Sequence, residues 1–306
     1  MSIPSKKIIT ISQPLKLKRK KLVLDDNKEK DLTDNPPKNL VFIDASFFTF
    51  YRYHATKVWY CQHTKTGDEA DCNVDNELFL EKFIKHFNDL VSKIVKKFKA
   101  DEVYWFKDAP RSTIWRMPMA PDYKDGRQGT PGIGAFFEYV FTHLVPNDKL
   151  FSVDNAEADD LIAVATKYEN TNSKNKVVII SGDSDLLQLV NNKTRLVKPP
   201  KLEDIPLEIK LDKKTKMIVS PQEYLEIKII VGDKSDNISK VYAGCGPKTS
   251  YDIATDPTRK IFQKLIADHP DRLAKYQHNQ QMICFDHIPT DLANQILKTY
   301  LDKRVD

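Results

Sequence analysis

Short apolar runs that alternate with helical patterns constrain this chain more than any other feature. Five runs have the length and residue types of buried strands, at 40–43, 103–106, 150–153, 177–180 and, more weakly, 196–197. The clearest helical pattern runs from Glu77 to Lys99, and another begins near Ala156. Strands that alternate with helices predict an α/β fold with a mostly parallel sheet covered by helices on both faces.

Acidic residues follow several of these predicted strands, where the chain leaves the sheet. They are Asp44, Asp108, Glu157, Asp159, Asp160, Asp183 and Asp185. Because the carboxyl ends of parallel strands meet at one edge of a sheet, we expect these carboxylates to approach one another. Such a cluster repels itself unless cations neutralise it, and Mg²⁺ accepts carboxylate ligands while retaining waters. A single acid at a loop start is commonly a helix cap, but several after successive strands favour a metal site.

A second acidic pair, Asp233 and Asp236, lies in the C-terminal part of the chain, where the patterns are helical. Their spacing allows both carboxylates to face the same way from a helix end. A turn and helix start follow and contain Gly244, Gly246, Lys248 and Thr249. Glycines let the backbone approach a phosphate, and the N–H groups of a helix start point toward it. The segment resembles the hairpin of helix-hairpin-helix elements, which grip duplex backbone without reading bases.

A segment interrupted by proline and glycine follows Asp108 and carries Arg116, Lys124 and Arg127. Basic residues just beyond a strand-end carboxylate suit a phosphodiester that approaches metal ions. The alternative is a solvated charged face, which basic segments commonly form.

The net charge of +5 is distributed unevenly. Residues 1–24 carry seven basic residues and no acid, so residues 25–306 total −2. We interpret 1–38 as a disordered basic extension and linker, which would be a nuclear-import signal, a nucleic-acid tether or a solubilising tail. The sequence has no apolar stretch long enough to span a membrane, no secretory signal pattern and no disulfide scaffold. We therefore expect an intracellular protein in a reducing compartment.

The ordered motifs resemble the 5′-nucleases, a family of flap endonucleases, phage 5′-exonucleases and the 5′-nuclease domain of bacterial DNA polymerase I. Within this family, the motifs look most like those of the T-even phage enzymes called RNase H. The frequent use of Lys, Ile and Asn is typical of an A/T-rich genome and suggests a viral origin. The resemblance runs from Leu40 to the C-terminus. Its motifs are Phe42-Ile43-Asp44-Ala45-Ser46, Glu157-Ala158-Asp159-Asp160, Ser181-Gly182-Asp183-Ser184-Asp185, Gly232-Asp233-Lys234-Ser235-Asp236-Asn237-Ile238 and Gly244-Cys245-Gly246-Pro247-Lys248.

This resemblance implies a PIN-like (Rossmann-like) nuclease domain over 39–219, with a helical arch near 109–134. It implies a helical DNA-binding region of the helix-three-turn-helix type over 220–306. The implied activity is two-metal hydrolysis of DNA by a 5′-3′ exonuclease and structure-specific flap endonuclease, in replication or repair. The implied cofactors are two Mg²⁺ ions, with Mn²⁺ as an alternative, and K⁺ at the hairpin as a further candidate. The implied substrates are 5′ flaps, nicks and single-strand/duplex junctions.

The resemblance also implies roles for individual residues. The first metal's ligands would be Asp44, Asp108, Glu157, Asp159, Asp160 and Asp183, and the second's would be Asp185, Asp233 and Asp236. Phosphate contacts would come from Arg116, Lys124 and Arg127, with Lys124 at the scissile phosphate. DNA contacts would come from Phe50, Arg52, Gly244, Gly246, Lys248 and Thr249. For Phe50, helical spacing also allows a place in the core. Arg52 lies one position later than the corresponding arginine in the polymerase I sequences, so its role is less secure. Whether Asp159 or Asp160 ligates metal directly stays open.

Other readings stay open as well. An enzyme that removes RNA primers from RNA–DNA hybrids, or an RNA-directed 5′-3′ exonuclease, would use the same acids because the chemistry is shared. A catalytically inactive junction-binding factor is less favoured, since no matched acidic position carries a neutral residue. A structural zinc site at His54, Cys61, His63 and Cys72 is conceivable, but their spacing matches no firm pattern.

Overall fold

The computed structural model describes residues 36–64, 69–126, 129–211 and 217–304. The predicted basic extension therefore lies almost wholly outside the described residues. The strands are β1 (Asn39–Asp44), β2 (Glu102–Phe106), β3 (Leu150–Phe151), β4 (Lys176–Ile180), β5 (Thr194–Lys198), β6 (Glu203–Asp204), β7 (Ile209–Lys210) and β8 (Ile218–Val219). The α-helices are α1 (Ala45–His63), α2 (Glu77–Phe98), α3 (Ile133–Tyr139), α4 (Ala158–Asn172), α5 (Pro221–Val231), α6 (Pro247–Thr255), α7 (Lys260–Phe262), α8 (Pro270–Ile283) and α9 (Thr290–Lys303).

The main sheet has six strands in the order β3-β2-β1-β4-β5-β6. Strands β1 to β5 pair in parallel, and only the short β6 is antiparallel, so the predicted mostly parallel sheet is confirmed. Strand β3 is shorter than its apolar run predicts, because it pairs with β2 only at Trp105 and Phe106. Strand β5 is longer than predicted, because four of its residues pair with β4. The carboxyl ends of β1, β2 and β4 are neighbours, which positions the acids that follow them.

Helices cover both faces of this sheet, as the alternating patterns predict. Successive residues of a strand point to opposite faces. On β1, Phe42 packs in a buried cluster with α4 and α9, while Val41 and Ile43 pack in a second cluster with α1, α2 and α3. Helix α2 begins at a cap in which Asn76 accepts the N–H of Phe79, and it ends where Lys99 adopts a left-handed conformation.

A third buried cluster lies in the helical region formed by α5, α6, α7 and α8. Helix α9 leaves this region and packs against α4, beside the sheet. Its Tyr300 hydroxyl donates to buried Glu169 at 2.7 Å, and Arg304 donates to the same carboxylate at 2.8 Å. Helix α9 thus shares the core of the sheet rather than that of the helical region.

The segment expected to form a helical arch contains mainly turns in its described part. Residues 109–126 include one 3₁₀ turn at Arg111–Thr113, and α3 begins only at Ile133. Prolines and glycines interrupt helical hydrogen bonding throughout this segment. Among the residues that the structure describes, no helix is both long and apolar enough to cross a membrane.

Candidate metal centre

Asp44 ends β1 and caps α1, so one side chain joins the sheet edge to the first helix. Its carboxylate accepts the N–H of Phe47 at 2.9 Å and the hydroxyl of Ser181 at 3.0 Å. Burial, together with the charge of Asp108, raises the pKa of Asp44 to about 7, although the donated hydrogen bonds oppose the rise. Burial is the main cause, and the contributions of Asp108 and Asp183 show that two other carboxylates lie near Asp44.

Asp108 and Asp159 lie at the same edge, on either side of the start of α4. Asp108 accepts the N–H of Ala158, the first residue of that helix, at 2.8 Å. Burial raises the pKa of Asp159 well above its usual value, and the charges of Asp183 and Asp44 raise it further. We call Asp44, Asp108, Asp159 and Asp183 the first carboxylate group.

Glu157 and Asp160 face a different partner, the buried guanidinium of Arg116. Arg116 donates to Asp160 through two nitrogens at 2.8 and 2.9 Å, and to Glu157 at 2.7 Å. The Trp115 indole N–H donates to Asp160 at 2.9 Å, and Asp160 also accepts the N–H of Glu157 at 3.1 Å. Asp160 is therefore occupied by structural donors, and Asp159 is the neighbour that faces the other carboxylates.

Arg116 itself is only 3% exposed. It is therefore not the exposed phosphate contact on the arch that the resemblance implies. Its Nε atom donates to the carbonyl oxygen of Met282 at 2.8 Å, so every side of the guanidinium fork has a partner. The adjacent carboxylates raise its pKa despite the opposing effect of burial. In this structure Arg116 is a buried counter-ion for the start of α4.

The loop after β4 approaches α1 closely. A Cβ atom at Gly182 would lie 2.4 Å from the ring of Phe47, so a larger residue would push the loop away. The Asp183 N–H donates to Ser181 Oγ at 3.1 Å, and the Asp185 N–H donates to Asp183 at 2.8 Å. Glycine therefore allows the loop to hold its two aspartates near the end of β1.

Asp185, Asp233 and Asp236 form what we call the second carboxylate group. Each offers one oxygen atom, and the three atoms lie within 4.8 Å of one another. A tight turn positions the last two: Gly232 has a φ of 72°, and a Cβ there would lie 2.2 Å from the carbonyl oxygen of Ile238. Asp233 and Ile238 exchange two backbone hydrogen bonds of 2.8 Å. Asp233 and Asp236 thus present oxygens to the same side, as their spacing predicts.

Lys228 on α5 lies between two carboxylates of the second group. Its ammonium pairs with Asp185 and with Asp233, the latter at 2.8 Å. Burial alone would raise the pKa of Asp233, but bonds from Lys228 and Ser235 lower it to about 2. Lys228 was not among the predicted site residues. The available signal was a lysine placed directly between two apolar residues, Ile227 and Ile229.

Asp183 connects the two carboxylate groups. Burial raises its pKa, Lys228 and Lys124 oppose that rise, and Asp236 and Asp233 add to it. Asp183 therefore responds to charges of the second group, while it also raises the pKa of Asp159 in the first. The two groups therefore lie close enough to affect each other's charge state, and we call them together the acidic crevice.

Lys124 lies where the arch segment meets both groups. Its ammonium pairs with Glu157 and lies 4.0 Å from Asp236 Oδ2. Its backbone is left-handed, with a φ of 59°, and its N–H donates to the carbonyl oxygen of Asp236 at 3.2 Å. The structure therefore brings Lys124 to the crevice, whereas Arg127 lies outside the described residues.

Asn237 fastens the segment that carries Lys124, and it too was not predicted. Its side-chain amide donates to the carbonyl oxygens of Asp122 and Asp125, at 2.9 and 3.0 Å. Its backbone φ is 58°, a left-handed conformation that asparagine adopts more readily than most residues. One side chain thus ties the turn of the second carboxylate group to the arch segment.

Replacing Asn237 with aspartate is expected to lower the free energy of unfolding by about 1–2 kcal/mol, because the exposed side chain loses two hydrogen bonds and a carboxylate would face two carbonyl oxygens. Asn237→Gly keeps the left-handed backbone accessible and should cost only about 1 kcal/mol. Urea unfolding of both variants measures the difference. An Asn237→Asp variant as stable as the wild type would contradict this fastening role.

Of the predicted DNA contacts on α1, Phe50 lies at the surface and Arg52 is half-buried. Phe50 is 45% exposed, and its ring centroid lies 4.3 Å from that of His54, so Phe50 is a surface aromatic rather than a core residue. The Arg52 guanidinium lies 4.3 Å from the centre of the Tyr51 ring. Both side chains belong to the helix that begins at Asp44.

The predicted hairpin contacts lie at the start of α6. Gly246 caps this helix, and no heavy atom lies within 4 Å of a Cβ built there, so the backbone is open to a ligand. The Lys248 side chain is exposed and pairs with Asp252 at 2.8 Å. Thr249 follows and is half-buried, while Gly244 is exposed. Contact of these residues with DNA stays a prediction.

The cysteines and histidines near the end of α1 do not form a metal group in the described residues. The ring of His63 bonds to a backbone carbonyl at 2.8 Å, and Cys72 is buried in an apolar cluster. In the part of the chain that the structure describes, the second carboxylate group is the one set of three or more such side chains with ligand atoms within 4.8 Å. The zinc hypothesis therefore gains no support.

A mostly parallel sheet flanked by helices, with an acidic crevice at the carboxyl edge of its strands, defines an α/β protein of the PIN-like class. Residues 39–226 match the family described as 5′-3′ exonuclease, N-terminal resolvase-like domain. The chain belongs to this family, so the resemblance inferred from the motifs is confirmed.

Relatives with curated descriptions agree with this membership. The chain is 31% identical over 204 residues to DNA polymerase I of Lactococcus lactis subsp. cremoris. The aligned region covers 60% of this chain and 23% of the polymerase. It is 32% identical over 173 residues to a 5′-3′ exonuclease of Aquifex aeolicus, and that aligned region covers 55% of this chain and 56% of the exonuclease. The chain thus spans less than a quarter of the length of the polymerases it matches first.

Solved structures share the fold. A bacteriophage T5 flap endonuclease in complex with DNA and metal ions superposes with a TM-score of 0.63 at 18% identity, covering 87% of this chain and 99% of that one. A T5 5′-exonuclease with bound divalent zinc ions gives a TM-score of 0.55 at 19% identity, covering 86% and 92%. At these identities the likeness establishes the architecture, and the chemistry must be argued from the crevice.

Proposed function

We propose that this protein is a metal-dependent 5′-nuclease that hydrolyses phosphodiesters in DNA near 5′ ends and at 5′-flap junctions. The observation that carries the proposal is the acidic crevice, where the four carboxylates of the first group adjoin the three of the second group, beside Lys124 and Lys228. Family membership and the fold shared with a flap endonuclease support the same reading.

The donor set of the crevice fits hard divalent cations. Every candidate ligand is a carboxylate oxygen, which suits Mg²⁺ or Mn²⁺ better than a soft metal. The first carboxylate group would hold one ion and the second group the other, with Asp183 between them. Two such ions, when bound, would activate a water for in-line attack and stabilise the leaving oxygen. Glu157 stays a predicted ligand of the first ion, while the Asp160 contacts with Arg116 favour a supporting role.

The role of Lys124 follows from its position between the two groups. Its ammonium is held by Glu157 and lies near Asp236, so it is close to the position that a phosphate would take against both ions. A cation placed there in advance stabilises negative charge that develops on the transferred phosphoryl group. Arg127 is three residues further along and stays a predicted phosphate contact.

DNA would approach the crevice across α1 and the start of α6. The exposed ring of Phe50 offers a surface on which a base can stack. The open backbone before α6, with Lys248 and Thr249, offers donors to the phosphates of the downstream duplex. These contacts fix the backbone without reading bases, so substrate choice would depend on shape. A K⁺ ion at the hairpin remains a prediction.

The substrate class is tested by product mapping. A 5′-flap DNA labelled at the 3′ end of its flap strand is incubated with the protein and Mg²⁺, beside a nicked duplex and an otherwise identical RNA-primed flap. We expect cuts at or near the junction of the DNA flap and, with the nicked duplex labelled in the same way, a ladder of labelled strands shortened from the nicked 5′ end. Faster cleavage of the RNA-primed strand would favour the primer-removing alternative, which uses the same carboxylates.

Binding of flap DNA should weaken as salt increases, because phosphate contacts release counterions. Lys248→Ala is expected to reduce the slope of log affinity against log salt by about 1, which is the contribution of one phosphate contact. Fluorescence anisotropy in Ca²⁺ at several salt concentrations measures the slope. Lys298→Ala, an exposed lysine on α9 outside the proposed contacts, should leave it unchanged. An unchanged slope in the Lys248 variant would exclude this phosphate contact.

A further inference from the structure

We propose that Lys228 competes with the second metal ion, so that its ammonium weakens cation binding at the second carboxylate group. This inference rests on the proposed function, because it assumes that the group binds a divalent cation. It assigns a role to a residue outside the predicted ligands and phosphate contacts.

The first observation is the contact geometry. The Lys228 ammonium pairs with Asp185 and lies 2.8 Å from Asp233 Oδ2, which are two of the three members of the group. A weaker contact reaches Ser184 Oγ at 3.4 Å. A divalent cation held by Asp185 and Asp233 would share these two carboxylates with the ammonium. Cation binding therefore brings a second positive charge to carboxylates that are already paired.

The second observation is that the lysine is enclosed. The side chains of Lys228, Asp185 and Asp233 are 12%, 16% and 17% exposed, so the pairing is shielded from bulk water. Lys228 lies on α5 between Ile227 and Ile229, which are both buried. The packing of this helix holds the base of the Lys228 side chain beside the second carboxylate group. Interactions between enclosed charges are screened less than those at the surface.

The third observation is the charge balance. Three carboxylates give the second group a formal charge of −3, and Lys228 reduces it to −2. One divalent cation then neutralises the group with the lysine retained nearby, whereas without the lysine the group would keep a charge of −1. A cation beside a retained ammonium experiences repulsion, which lowers its affinity. At the first site Lys124 pairs with one predicted ligand, Glu157, and among the described contacts no lysine pairs with Asp44 or Asp108. The second site, where Lys228 pairs with two of the three carboxylates, should therefore bind its ion more weakly.

The experiment measures metal binding by the full-length protein rather than cleavage. Calorimetric titration with Ca²⁺, and Mn²⁺ titration followed by electron paramagnetic resonance, give the number of ions and their affinities. For the wild type we expect two ions, the second weaker than the first. In Lys228→Gln the second ion should bind at least about tenfold tighter while the first changes little.

Lys149→Gln is the matched control. Lys149 pairs with Glu102 at 2.6 Å, and these side chains are 18% and 19% exposed, close to the values at Lys228. This variant should bind both ions as the wild type does. Lys228→Arg retains the positive charge and should bind the second ion no tighter than the wild type, which provides a test even if Lys228→Gln fails to fold.

The outcomes separate the two proposals. Equal or weaker second-ion binding in folded Lys228→Gln, or tighter binding in Lys228→Arg, overturns the competitor role while two-ion binding stands. Failure of the folded wild type to bind two divalent cations contradicts the proposed two-metal function itself.

Discussion

Replacing Asp183 with asparagine is expected to reduce cleavage of 5′-flap DNA by about a thousandfold or more. Asp183 is the carboxylate that connects the two groups, since the charges of Asp233 and Asp236 act on it and it acts in turn on Asp159. Removing its charge weakens the hold on both cations, and electrostatic stabilisation by bound metals is worth several kcal/mol. Single-turnover cleavage under saturating Mg²⁺ measures the loss.

The same variant should be as stable as the wild type or more stable. Burial and neighbouring carboxylates raise the pKa of Asp183, which means that its negative charge is unfavourable in the folded protein without cations. Urea unfolding in EDTA therefore distinguishes lost chemistry from lost structure. Asp204→Asn on the edge strand β6, where Asp204 pairs with Arg195 at the surface, is the control and should retain full activity. Undiminished cleavage by Asp183→Asn would contradict the two-metal mechanism.

Replacing Arg116 with methionine is expected to lower the free energy of unfolding by about 3–5 kcal/mol. The guanidinium holds the buried carboxylates of Glu157 and Asp160, and its loss leaves Asp160 with a buried, uncompensated charge. Lys124 and Tyr123 would still contact Glu157, so the main cost falls on Asp160. Guanidinium chloride unfolding measures the change.

Two further variants identify the cause of that loss. Arg111→Met lies in the same segment, but Arg111 and its partner Asp125 are about half exposed, so at most about 1 kcal/mol should be lost. Adding Asp160→Asn to Arg116→Met should restore part of the stability, because it removes the uncompensated charge. If Arg116→Met lowered the free energy of unfolding no more than Arg111→Met does, the buried ion network would have no stabilising role.

The sheet and the first carboxylate group were predictable because topology enforces them. Apolar runs of strand length, separated by helical patterns, leave few alternatives to a parallel sheet. Once β1, β2 and β4 are neighbours, Asp44, Asp108 and Asp183 must meet at one edge. The pairing of Asp233 with Asp236 was equally local, since the tight turn at Gly232 lies within the motif.

The roles of Arg116, Lys228 and Asp160 were not predictable, because their partners lie far away in the chain. Arg116 meets its carboxylates across 41 and 44 residues, and Lys228 meets Asp185 across 43. The direction of Asp159 and Asp160 depends on the residue at which α4 begins. Because Glu157 is the cap, Asp160 turns back toward the cap and Asp159 toward the sheet edge. One residue of difference in the helix start would exchange their roles.

The central claim is that cations held by this crevice hydrolyse phosphodiesters from the 5′ side. The most direct measurement is cleavage of a 3′-labelled 5′-flap DNA by the folded wild-type protein in Mg²⁺, in excess EDTA, and after Mg²⁺ is restored. We expect junction-proximal cuts in Mg²⁺, none in EDTA, and full recovery on restoration. Equal cleavage in EDTA, or no cleavage by folded protein in either Mg²⁺ or Mn²⁺, would contradict the claim.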